Sequence, residues 1–343
     1  MMPGEALDRL RLARTDGVGP VTYRRLLRRY ATAAEAIDAL PGLARAGGKA
    51  APPVVPPVSA ARRELDALHR LGGQMLFLDG PGYPAALAAF DIAPPLLSVL
   101  GNAALLQERA VALVGARNAS VNGQRMAEIL AADLAQSGLV VVSGMARGID
   151  AAAHEGALRT GRTIAAVAGG VDVVYPPENA DLQRRVAEGG AVVAEASLGT
   201  APQARHFPRR NRVIAGLSLG VVVIEAAPRS GSLITAQIAL DENRAVFAVP
   251  GSPLDPRCRG SNNLLREGAT LTESAADVLG NLPPLPEPSL SGFARRKRPG
   301  STGRRWTCGP RRRPSWRCSA THPRRLTIWC GAASCRFMRC RAR

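Results

Sequence analysis

From Ala110 onward the chain settles into a rhythm of short apolar runs, rich in β-branched residues and separated by stretches of helix length. The runs are VALVG (Val111–Gly115), LVVVSG (Leu139–Gly144), TIAAVAG (Thr163–Gly169), AVVAEA (Ala191–Ala196), GVVVIEA (Gly220–Ala226) and AVFAVPG (Ala245–Gly251). Between them, Gln124–Ser137, Gly148–Thr160, Glu178–Glu188, Arg210–Ser218 and Gly231–Asn243 carry Leu, Ile, Val and Ala at helical spacing. A strand with one wet face alternates apolar and polar residues, whereas a run apolar throughout is covered on both sides. The pattern therefore predicts an α/β fold: a doubly wound, mostly parallel Rossmann-like sheet with helices on both faces.

The amino-terminal part reads as short helices over Leu7–Leu40. In DGVGPVTYRRLLRRY (Asp16–Tyr30), Gly17 and Gly19 permit a tight turn and Pro20 suits the first position of a helix, while Leu26, Leu27 and Tyr30 supply its apolar face. This resembles a helix-hairpin-helix turn, whose glycines let backbone N–H groups approach a DNA phosphate. A ligand-free corner between two helices fits the same residues. Pro41–Ala60, rich in Pro, Ala and Gly, reads as a loop or linker, and NLPPLPEPSL (Asn281–Leu290) marks a second boundary. The expected division is a small all-α domain over 1–70, a Rossmann-like domain over 71–280, and a linker with a basic tail over 281–343.

Charge changes that picture at one end only. The net charge is +18, yet Ser291–Arg343 holds 16 Lys and Arg and no Asp or Glu, so the first 290 residues carry 29 basic against 27 acidic side chains. A polyanion site in the folded part must then be a local patch, because the body as a whole supplies little long-range field. Five of the six cysteines also lie in the tail, without metal-ligand spacing, so neither a disulfide framework nor a zinc site is expected. No signal peptide or membrane-length apolar run is visible, which points to a cytoplasmic protein.

In a doubly wound sheet, ligands bind beyond the carboxyl ends of the strands. Here those ends read GARNASVNG, SGMARGIDAAAH, AGGVDVVYPPEN, EASLGT running into RHFPRRNR, EAAPRSGSLITA and PGSPLDPRCRGSNN. Gly, Ser, Thr and Arg recur. Bare amides, hydroxyls, helix N-termini and guanidinium forks suit phosphate oxygens better than proton chemistry. RHFPRRNR argues for a polynucleotide over a mononucleotide. It packs Arg205, Arg209, Arg210 and Arg212 around Phe207, enough charge to track several phosphates while an aromatic face stacks on a base. Arg210 and Arg212 begin a helix in this reading and so diverge around it. Asn211 reads a base edge or caps, and Phe207 stacks or packs in the core.

Rival chemistries lack their fingerprints. There is no Gly-x-Gly-x-x-Gly after the first strand and no Gly-x-x-x-x-Gly-Lys-Ser/Thr, which removes dinucleotide oxidoreduction and P-loop hydrolysis. Asp150 and His154, four apart, form an oriented base for Ser143 or Ser230, or an ordinary intrahelical contact. Glu195 and Glu225 are paired acids or satisfy arginines. No catalytic residue, cofactor or metal is assigned.

Taken in order, VGARNAS, SGMARGIDAAAH, AGGVDVVYPPEN, FPRRNRVIAGLS, VVVIEAAPRSGSLITAQIAL, FAVPG and GSNNLLREGA resemble the DNA-processing protein A (DprA/Smf) family, over about Gly82–Gly280. The resemblance implies a non-enzymatic protein of natural transformation, or competence. Such a protein binds and protects incoming single-stranded DNA, helps load the RecA recombinase in DNA recombination, and dimerises through the Rossmann-like domain. Carried over motif by motif, the strand would meet Arg117, then Ser143, Gly144 and Arg147, then Gly169 and Gly170. Phe207, Arg209, Asn211 and Arg212 follow, and last come Ser230, Gly231, Ser232 and Thr235. A nucleotide hydrolase of the phosphoribohydrolase kind, the alternative on a related fold, would need a Pro-Gly-Gly-x-Gly-Thr loop that is missing here. A DNA-bound scaffold acting through protein contacts is the third reading.

The tail departs from the family, whose members frequently end in a winged-helix domain. Ser291–Arg343 has no acids and no sustained apolar period, but all three tryptophans. It reads as a disordered segment produced by a shifted reading frame, or as a basic arm that binds DNA through counterion release.

Overall fold

The computed structural model describes residues 3–48 and 51–282, all within one compact unit, Met1–Glu287. The linker-and-tail reading of 283–343 lies outside the described residues.

Four helices open the chain: α1 (Pro3–Ala13), α2 (Pro20–Arg29), α3 (Ala33–Ala46) and α4 (Val58–Arg70). The loop expected over Pro41–Ala60 is shorter than its composition suggests, because α3 runs through Pro41 to Ala46 and α4 starts at Val58. A proline inside a helix forfeits one hydrogen bond. Here Ile37, Leu40 and Ala44 form a buried stripe on both sides of it, and that packing decides the outcome.

One nine-stranded sheet follows, with strands β1 (Gln74–Phe77), β2 (Leu96–Gly101), β3 (Ala110–Gly115), β4 (Val140–Ser143), β5 (Thr163–Ala166), β6 (Ala191–Ala194), β7 (Gly220–Ile224), β8 (Ala245–Ala248) and β9 (Thr270–Leu271). Their order across the sheet is β1-β2-β6-β5-β4-β3-β7-β8-β9. The pairings from β6 to β9 are parallel, and β1 and β2 are joined on antiparallel. All six strands expected from the sequence are present. The intervening helices are α5 (Ala85–Ala88), α6 (Val121–Gln136), α7 (Ile149–Ala157), α8 (Ala180–Gly189), α9 (His206–Leu217), α10 (Gly231–Asp241), α11 (Arg259–Arg266) and α12 (Ala275–Asn281).

The strands are apolar on both sides because both sides are covered. Ala112, Val142, Ile164, Val193 and Val221 join one core with Val213, Ile214 and Leu217 of α9 and with Leu12, Tyr23 and Leu40 of the amino-terminal helices. Val111, Leu113, Val141 and Val222 face the other way, onto Leu130 and Leu134 of α6 and Ala153 of α7. Among the described residues no helix is long and apolar enough to cross a membrane.

Candidate nucleic-acid interface

The chain steps outward from β3 through β4 and β5 to β6, then restarts at β7 on the other side of β3. That reversal opens a crevice beyond the carboxyl ends of β3 and β7. The segment after β6 returns across the sheet as α9, so the first turn of α9 lies over the crevice with the loops after β3, β4 and β5 around it.

Arg210 of α9 is the buried centre of this region, only 8% exposed. Its Nη1 donates to the carbonyl oxygens of Gly144 and Ala166, the latter at 3.3 Å, and its Nε donates to Asn211 Oδ1 at 3.2 Å. Gly144 has to be glycine, since a Cβ there would collide with the Arg210 guanidinium and lie 2.7 Å from an Asp150 carboxylate oxygen. Burial pushes the Asp150 carboxyl up and the Arg210 guanidinium down, each partly offset by the other's charge. The Ser143 hydroxyl is wholly buried and donates to Leu113 O at 2.6 Å. Ser143 and Gly144 therefore shape the floor of the crevice.

Asp150 and His154 do not act as a dyad. Asp150 accepts from the Ala146 N–H at 3.3 Å, whereas His154 Nδ1 meets Thr163 Oγ1 at 2.8 Å. Because the Thr163 hydroxyl donates to Val141 O, it must accept from His154 Nδ1–H, which leaves Nε2 bare in the interior. Burial, reinforced by the Arg210 charge, lowers the His154 pKa to about 3. The paired-acid reading of Glu195 and Glu225 fails too, since β5, β4 and β3 separate their strands. Glu195 holds Arg212, and Glu225 accepts from the backbone N–H (2.8 Å) and hydroxyl of Ser120.

Above the floor lies an exposed lip. The Arg117 guanidinium stands 5.1 Å from the centroid of the Phe207 ring, and that of Arg210 stands 5.7 Å away. Tyr175, 47% exposed, has its ring centroid 6.1 Å from that of Phe207. Two hollows meet at this group. The smaller, about 260 Å³, is lined by Arg117, Arg147, Gly169, Tyr175 and Phe207. The larger, about 590 Å³, lies over the β3–β7 crevice and is lined by Arg117, Phe207, Asn211, Ser230, Gly231, Ser232 and Thr235. Arg147 is half-exposed, 3.4 Å from Glu178. Ser230 caps α10 by accepting from the Ser232 N–H at 3.2 Å, and Gly231 faces open space.

RHFPRRNR does not run as an extended track. Helix α9 starts at His206, ahead of the expected Arg210, and its arginines fan out. Arg205 and Arg209 are exposed. Arg212 is buried and gives Nη2 to both oxygens of Glu195. Arg209 and Arg212 border a separate cleft on the far side of α9, so the structure does not gather them with Arg117 and Phe207. Gly170 is also set apart, because its N–H is taken by Thr200 O at 3.0 Å.

Comparison with known proteins places this geometry in a family. The family described as DNA recombination-mediator protein A matches residues 74–283, and the DprA-like N-terminal HHH domain matches residues 3–67. The chain belongs to the DprA family. It is 47% identical over 198 residues to the DNA processing protein DprA of Streptococcus pneumoniae, covering 57% of this chain and 70% of that one. Against protein Smf of Synechocystis the identity is 36% over 282 residues, 79% of this chain and 71% of the relative. The crystal structure of the Streptococcus pneumoniae DprA superposes with a TM-score of 0.67 at 35% identity, over 82% of this chain and 99% of the other. DprA from Helicobacter pylori, solved to show how that protein binds single-stranded DNA, gives 0.56 at 29%, over 61% and 95%.

Within this DprA-family fold, sequence reasoning missed Tyr175 as part of the groove, and counted Arg210 among the phosphate-tracking arginines where folding makes it the buried floor. VVYPPEN did hold a signal for the first, an aromatic residue directly ahead of two prolines, which hold it on a surface turn. Nothing in the sequence distinguishes Arg210 from the arginines beside it.

Proposed function

We propose that this DprA-family chain binds single-stranded DNA along the strand-end groove. The observation that carries this reading is the Arg117 guanidinium over a partly buried Phe207, with the exposed Tyr175 alongside. A cation beside aromatic faces, above a floor whose polar groups are already satisfied, suits a flexible chain of phosphates and unstacked bases. Duplex DNA hides the faces of its bases and gives Phe207 nothing to stack on. The single-strand binding of the Helicobacter pylori relative supports the same reading.

On this proposal Arg117 and Arg147 meet phosphates and Phe207 stacks on a base. The amides and hydroxyls of Gly169, Ser230, Gly231 and Ser232 approach the backbone, with Asn211 and Thr235 fixing the wall behind them. The protein makes and breaks no bond. It works in the cytoplasm as a homodimer, protects DNA entering during transformation and hands it to the RecA recombinase. Residues 71–280 supply the DNA site, and residues 1–70 brace it. In a titration of oligo-dT against duplex of equal length, the single strand should bind more tightly. Arg117→Ala should weaken that binding and flatten its salt dependence by about 0.7 in logarithmic slope for each phosphate it no longer neutralises. Equal affinity for both DNAs, or an unchanged slope in the variant, would refute the site.

A further inference from the structure

Five of the six strand-end loops furnish the lip and walls of the groove, and the sixth, PGSPLDPRCRGSNN after β8, reaches it through one side chain. Arg257 lines the larger hollow together with Arg117, Phe207 and Ser230. It has no place in the smaller hollow, which Arg147 borders instead. Arg117 lines both hollows and therefore lies between them, so the order along the groove is Arg147, Arg117, Arg257.

The loop after β8 is fixed in place. The Gly260 N–H donates to Ala226 O at 2.7 Å, and Asn262 ties both backbone groups of Gly251, accepting from its N–H at 3.1 Å and donating to its carbonyl oxygen at 2.9 Å. Cys258 is buried against Gly251, where a Cβ would collide with the sulfur. A side chain carried on so rigid a loop loses less freedom when it binds. Asp255 aims the Arg257 guanidinium, its carboxylate accepting from Nε at 3.0 Å and from Nη2 at 2.8 Å. Nη1 has no hydrogen-bonding partner among the described residues, and the side chain is 42% exposed.

Two acids share this end of the hollow. A carboxylate oxygen of Glu225 and one of Asp255 lie within 4.8 Å of each other, and without a cation beside them they would repel a phosphate. Glu225 is held by Ser120, and Asp255 by Arg257. One guanidinium thus keeps the β3–β7 crevice open to a polyanion. We propose that Arg257 is a further phosphate contact for the single strand, so that the strand crosses the crevice from Arg147, past the Arg117–Phe207 lip, to the loop after β8. The idea rests on the single-strand reading above and gives the strand a direction across the sheet.

Asp255 provides the control, because removing Arg257 alone would also release the charge of its partner. Affinity for oligo-dT is measured across a salt series for wild type, Asp255→Asn, Arg257→Gln and the double variant, with thermal melts to verify folding. The ion pair is partly exposed, so stability should change little. Asp255→Asn, which keeps an acceptor for Arg257 and removes a negative charge, should tighten binding. Relative to it, the double variant should bind several-fold more weakly, with a salt slope reduced by about 0.7, the contribution of one single-strand phosphate. Arg257→Gln alone should bind most weakly of the four. The proposal is overturned if the double variant binds as Asp255→Asn does, since Arg257 would then only silence its neighbour. That result leaves the single-strand reading standing if Arg117→Ala still weakens binding, and both fall if Arg117→Ala has no effect. Should a variant unfold, phenylglyoxal modification of the wild-type protein decides: bound oligo-dT should shield Arg257, and equal modification with and without the strand overturns the proposal.

Discussion

The floor and the lip of the groove use the same residue types to opposite ends. On the floor, Arg210, Asn211, Ser143 and Asp150 are buried, and their polar atoms are met by carbonyls, amides and each other. At the lip, Arg117 and Arg147 are exposed, and Phe207 is half-buried. A guanidinium enclosed by fixed acceptors has nothing left to offer a ligand; one that lies over an aromatic ring in water keeps most of its donors. Charge in a binding groove is therefore informative only once its partners are known.

The largest effect expected from this contrast is at Arg210. Arg210→Ala should cost about 3–5 kcal/mol of folding stability, measured by urea denaturation, because it strands the Asp150 carboxyl and two carbonyl oxygens in the interior. Arg210→Met combined with Asp150→Leu should lose much less. If Arg210→Ala kept full stability and lost only DNA affinity, the floor would prove to be part of the lip.

Next in size is a pH effect from beneath the floor. His154 is held neutral, with its pKa lowered from 6.5 to about 3 by burial and by Arg210. A depressed folded-state pKa contributes stability that is present above pH 6.5 and is lost as pH falls toward 3, since the unfolded chain binds the proton more readily. The loss should be on the order of a few kcal/mol. His154→Gln should flatten the urea-midpoint profile over that window. A difference between variant and wild type that stays constant with pH would contradict the assignment.

The smallest effect tests the lip. Phe207→Ala should lose about 1–3 kcal/mol of single-strand affinity and little stability. A collapse in stability would instead assign Phe207 to the core.

Much of the fold was legible because covering a sheet on both faces leaves a plain trace in residues such as Val140–Val142 and Val221–Val223, which are buried without alternation. β1 and β9 were not read, being short strands at the two edges of the sheet, and neither was β2, a six-residue inner strand that directly follows Pro94 and Pro95 and so reads as the end of a loop. The site was legible as a set of loops, since the carboxyl ends of parallel strands converge by topology. Which arginines face a ligand was not legible. Arg212 looks as free as Arg209 until folding brings Glu195 to it from 17 residues away. The start of α9 was misplaced for a different reason: Pro208 reads as a helix stop, yet it occupies the third helical position, where a missing N–H costs nothing.

The amino-terminal helices bury Leu12, Tyr23 and Leu40 in the same cluster as Val142 and Val221 of the sheet. Severing the chain near residue 70 would thus leave an oily scar on both fragments, and each would tend to clump with copies of itself. The two pieces are best produced as a single polypeptide, and a break between them would silence both at once.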